Sequence, residues 1–70
     1  MGKAKARIVV KALTDTAIEK ILTLGADDVA EDIERLRKVV HDLVEFWGIE
    51  EPLDVYFDAR VDSFAKAQAV

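Results

Sequence analysis

In KAKARIVVKA, residues 3–12, small or apolar side chains alternate with basic ones. Ala4, Ala6, Ile8, Val10 and Ala12 share one parity, and Lys3, Lys5, Arg7, Val9 and Lys11 share the other. A period of two describes a strand with one buried and one solvated face. LDVYFDARVD, residues 53–62, repeats the pattern. Leu53, Val55, Phe57, Ala59 and Val61 fall on one side, and Asp54, Tyr56, Asp58, Arg60 and Asp62 on the other. The outer face of the first stretch is basic and that of the second mainly acidic. Opposite charges across neighbouring strands stabilise pairing by about 0.2–1 kcal/mol per pair. The two stretches are therefore expected side by side in one sheet.

Working inward from these strands, the pattern becomes helical. In DDVAEDIERLRKVVHDLVEFWG, residues 27–48, a single apolar stripe runs through Val29, Ile33, Leu36, Val40, Leu43, Val44 and Trp47. Its spacing of threes and fours predicts an amphipathic helix over 27–47. Acidic residues at 27, 28, 31 and 32 suit the positive end of its dipole, and Asp28-x-x-Glu31 has the form of a capping box. Thr14-Asp15-Thr16 breaks the alternation of the first stretch, and Thr16-x-x-Glu19 reads as another capping box. A short helix is expected over 16–24, stopped by Gly25. Gly48 is expected to stop the long helix, with Ile49 folding back against its last turn. Pro52 suits the first position of a strand. Phe64 falls on the outer parity, and a bulge near 62–64 would turn it inward. The tail, 65–70, is open to a strand extension, a helical turn or a frayed end.

The expected fold class is therefore α/β. It is a two-layer β-α-α-β unit, one domain over 1–70, with a short and a long amphipathic helix packed on a small sheet. The long helix spans about 30 Å and a ten-residue strand about 33 Å. The match favours parallel strands joined by a right-handed crossover; a helical hairpin would make them antiparallel.

Two strands leave both sheet edges open. A 70-residue chain also has a thin stability margin, burying only about 60% of its unfolded surface. The absence of cysteine excludes a disulfide staple or a thiolate metal site and suits a reducing compartment. A cytoplasmic location is expected if the chain is natural. The sheet is expected to be completed by homo-oligomerisation, a dimer first. Phe46, Trp47, Tyr56 and Phe64 add aromatic area and are the expected oligomer interface. The net charge of −4, without long runs of either sign, argues against nucleic acid as the main partner. No apolar run approaches the roughly eighteen residues of a membrane span. The start, MGKAKARIVV, lacks the apolar core and cleavage site of a signal peptide.

Few residues suggest chemistry. His41, the only histidine, has Arg37 one turn before it and Glu45 one turn after. A His–Glu pair supplies two corners of a metal site, whereas zinc takes three or four protein ligands. Asp54, Asp58 and Asp62 would stand about 13 Å apart on a strand, too far to share an ion. Gly2, Gly25 and Gly48 are isolated, so there is no phosphate loop. No catalytic, cofactor-binding or metal residue is expected. The expected role is a non-catalytic self-associating scaffold of engineered, even de novo, character, since its local signals agree with one another. One alternative is a natural phage or bacterial protein-binding module. Another is an oligomeric ligand-binding protein or enzyme whose pocket between protomers uses His41, Trp47 and Tyr56.

The strand–helix–strand outline resembles the 4-oxalocrotonate tautomerase group, whose protomers assemble through their sheets. The resemblance is one of topology. The terminal proline of that group has no counterpart here, because position 2 is Gly and the only proline is Pro52. No residue role carries over.

Overall fold

The structure, a computed structural model, describes residues 2–68. It is a bundle of three helices: α1 (Lys3–Leu24), α2 (Ala30–Phe46) and α3 (Leu53–Gln68). There is no strand among the described residues. The expected α/β class, the β-α-α-β order, the small sheet and the parallel crossover are all overturned, and with them the tautomerase-like outline. The helices run up, down and up. Lys20 near the end of α1 pairs with Asp32 near the start of α2 at 3.6 Å. Arg7, near the start of α1, pairs with Glu51 just before α3.

The two presumed strands are helical for a reason visible in their own alternation. Every second member of a parity set is also four residues from the next, which is one helical turn. Ala6 and Val10 satisfy both periods, as do Leu53, Phe57 and Val61, and all five are buried. Ile8 and Val55 separate the two readings. A strand turns both inward, yet Ile8 is 69% and Val55 61% exposed. Composition favours helix in the first stretch, because alanine, lysine and arginine are the strongest helix formers. In the second, the valines and aromatics are weak helix formers, so packing decides. Phe57 is fully buried there, and burial of a side chain of that kind stabilises by about 1.5–3 kcal/mol.

Thr14 and Thr16 do not cap a helix. They lie within α1, and their hydroxyls donate to the carbonyls of Val10 (2.7 Å) and Ala12 (2.9 Å) one turn back. Hydrogen bonds of this form let threonine sit in a helix interior. The short helix expected over 16–24 is thus the second half of α1. The box at Asp28 does not form either; α2 starts at Ala30 after Val29, with no side-chain cap.

The glycine stops are present. Gly25 follows α1 with φ 94°, and Gly48 follows α2 with φ 61°. Ile49 N–H donates to the Val44 carbonyl (3.0 Å) and Gly48 N–H to the Glu45 carbonyl (3.2 Å), which is the paired bonding of a Schellman turn. Pro52 precedes a helix instead of opening a strand. Its carbonyl accepts from Tyr56 N–H at 3.1 Å, and its missing N–H costs nothing at a helix start.

The core lies along the bundle axis. Ala6, Val10, Ala17 and Ile21 of α1 meet Ile33 and Val40 of α2 and Leu53, Phe57 and Val61 of α3, with Val29 closing one end. Phe64 is half-buried within α3, with no bulge. The tail is helical to Gln68; Ala69 and Val70 lie outside the described residues. Among the described residues no helix is long and apolar enough to cross a membrane.

Candidate functional site

Three helices packed in a triangle make three seams, and each has its own chemistry. The α2/α3 seam is ionic. Arg37 and His41 are one turn apart on α2, and Asp58 and Asp62 one turn apart on α3. Antiparallel packing sets the two rows face to face. Arg37 Nη1 donates to Asp58 Oδ1 at 2.8 Å and Nη2 to Asp62 Oδ1 at 3.2 Å. His41 Nε2 lies 3.1 Å from the other Asp58 oxygen. Glu34 Oε1 approaches Arg37 Nε at 3.4 Å, without the geometry of a hydrogen bond, so that buried nitrogen has no hydrogen-bond partner among the described residues.

The Arg37 side chain is 23% exposed. Burial works against its charged form. The hydrogen bond to Asp62 and the charges of Asp58, Asp62 and Glu34 outweigh that, holding its pKa above the ordinary value. A guanidinium surrounded by three carboxylates is neutralised in place and presents no free charge to an anionic ligand. The carboxylates are occupied in turn. Among the described residues no group of three or more histidines, cysteines or carboxylates is placed to hold a metal ion. The chemistry of this seam is that of a clamp between helices.

This also corrects the expected charge pairing. The acidic row on α3 does not meet the basic row of residues 3–11. Asp58 and Asp62 pair with Arg37 of α2, and Arg7 pairs with Glu51 of the α2–α3 turn, its Nε 2.8 Å from both carboxylate oxygens. Tyr56 lines the α1/α3 seam, in a shallow hollow with Arg7, Val10, Lys11, Glu51 and Leu53.

The α1/α2 seam is apolar at the end where α1 begins. Phe46 is 79% and Trp47 46% exposed. Their rings meet edge to face, with centroids 5.2 Å apart and planes at 85°. Val39, also exposed, lies two turns before Phe46 on the same side of α2. Asp42 and Glu45 flank Phe46.

Of the four residues expected at an interface, Phe46 and Trp47 form one patch. Tyr56 and Phe64 lie on α3, and Phe64 is half-buried with the Arg60 guanidinium 5.5 Å above its ring. The three pocket candidates do not converge within one chain. Tyr56 is two residues from Asp58, and helix neighbours at that spacing face apart, so it is turned away from His41. Trp47, six residues beyond His41, lies about 120° round the helix from it. Arg37 was legible only as a neighbour of His41, and Val39 not at all. The signals for both were helical spacing: Asp58 and Asp62 one turn apart, and Val39, Leu43 and Phe46 as a second stripe beside the main one. No protein-family model, no curated protein and no solved structure matches the chain.

Proposed function

We propose that the chain is a small module that associates with copies of itself and serves as a scaffold, without catalysis. The open sheet edges that first suggested self-association are gone with the sheet. The reading now rests on one observation, the exposed Phe46–Trp47 pair. Tryptophan is enriched at interfaces, and contiguous exposed apolar area marks interaction surfaces. Size points the same way, because a small cysteine-free domain gains most from burying further area against a partner. The ionic seam, by contrast, is satisfied within the chain.

Light scattering over a concentration series tests the reading. The expected mass is a multiple of the 7.8 kDa chain. A mass of one chain at every concentration up to the millimolar range would overturn it and point to a different protein as the partner.

A further inference from the structure

Resting on that self-association, we infer that the contact surface is the apolar end of the α1/α2 seam, and that its occupant is a second copy related by a two-fold axis parallel to the helices. The Lys20–Asp32 pair fixes which flanks of α1 and α2 face each other and which levels match. Steps of threes and fours keep to one flank of a helix. Counting back from Lys20, the flank of α1 carries Leu13 and Val9; counting on from Asp32, that of α2 carries Val39, Leu43 and Phe46. Leu13, Val9 and Leu43 are half-buried, and Val39 and Phe46 are exposed. Together they make a continuous apolar strip across both helices, with Trp47 at its end.

The charges beside the strip select the occupant and its direction. Lys5 borders it on α1 and Asp42 on α2, and both are exposed. A two-fold axis along the helices lays α1 of one copy on α2 of the other at the same height. Level matching from Lys20 and Asp32 then puts Lys5 about 7 Å along the axis from Asp42 of the copy, within reach of a lysine side chain. Arg35, which pairs with Asp32 of its own helix at 2.9 Å, comes within about 3 Å of the level of the copy's Glu19 and can add that carboxylate to the pair. Both pairings are of opposite charge, and symmetry makes each twice. An axis across the helices, centred on the same strip, sets Asp42 against its own copy, where like charges repel. The surface is therefore complementary to itself in one orientation.

Sedimentation equilibrium on variants tests this. Phe46→Lys removes the anchor from a position outside the core, so the circular dichroism of the helices stays and the dimer is lost; Val39→Glu does the same from the other side of the strip. Lys5→Glu or Asp42→Lys alone weakens the dimer, by roughly two- to thirtyfold for two exposed ion pairs. The double reversal restores it. A wild-type dimer that keeps its affinity in Phe46→Lys and Val39→Glu overturns this surface while leaving self-association standing. Failure of the double reversal to restore affinity overturns the axis direction. A monomeric wild type overturns the scaffold reading itself.

Discussion

The guanidinium of Arg37 on α2 lies 2.8 Å from the carboxylate of Asp58 on α3. The same carboxylate also meets His41, and the same guanidinium reaches on to Asp62. Two positions on one helix are thereby locked to two on the next.

Replacing Arg37 with methionine keeps much of its packing and removes the charge. Asp58, itself largely shielded from water, then loses its strongest partner. The expected cost is about 1–2 kcal/mol, between the values for exposed and buried pairs. Urea unfolding checks this. A double-mutant cycle with Asp58→Asn should return a coupling energy above about 0.5 kcal/mol; a coupling near zero would show the clamp to be ornamental.

Val55 and Phe57 have the same parity but opposite environments. Phe57→Ala is expected to cost about 3–5 kcal/mol, from lost burial and the cavity left behind. Val55→Glu and Ile8→Glu should change stability by no more than about 0.5 kcal/mol. Thermal unfolding of the three variants discriminates sharply, since in a sheet both glutamates would enter the core and unfold it.

Thr14 is fully buried, and among the described residues its only side-chain hydrogen bond goes to a carbonyl already bonded within α1. Thr14→Val leaves no backbone group unsatisfied, so it is expected to be neutral or stabilising by up to about 1 kcal/mol. Thr14→Asp buries a carboxylate without a cation and should abolish cooperative unfolding. Circular dichroism melts separate these outcomes, and a capping role for Thr14 would reverse their order.

Glu51 gives the fold an acid-sensitive contact. The hydrogen bond from Arg7 is the largest influence; partial desolvation opposes it, and the charges of Arg7 and Lys3 reinforce it. The net effect holds the carboxyl below its ordinary 4.5. A lowered folded-state pKa means that the contribution is complete above the unfolded value and is lost as pH falls through the folded one. The stability difference between wild type and Glu51→Gln should therefore be constant above about pH 5 and shrink below 4.5. Urea midpoints between pH 2 and 7 check this, and a difference that grows on acidification would contradict it.

The long helix was legible, apart from its first turn, because its apolar stripe has one meaning. The stripe of α2 has no period-two alternative, and glycine at 48 is read the same way by any helix that must stop there. Residues 3–12 and 53–62 were ambiguous because ten residues hold too few turns to separate a period of two from one of 3.6. Among the larger side chains of the inward parity only Ile8 and Val55 end up exposed, and apolar residues at the surface are common enough to be no warning. The threonines at 14 and 16 misled for a related reason: a hydroxyl bonds to backbone in a cap or in a helix interior, and the sequence does not say which. The ionic clamp was hidden by that same error, since Asp58 and Asp62 are 13 Å or so apart across a strand but adjacent on a helix.

Three helices with similar apolar stripes can be wound round one another in two senses, left-turning or right-turning, with nearly the same core. Here the seams are unlike. In the opposite winding, the flank of α2 that carries Arg37 and His41 would turn toward α1, where Arg7 and Lys11 stand, and Asp58 would lose its cation. Beyond the about 1–2 kcal/mol that the ion pairs add to the native well, they raise the mirror arrangement, so that a core of modest size still selects a single topology.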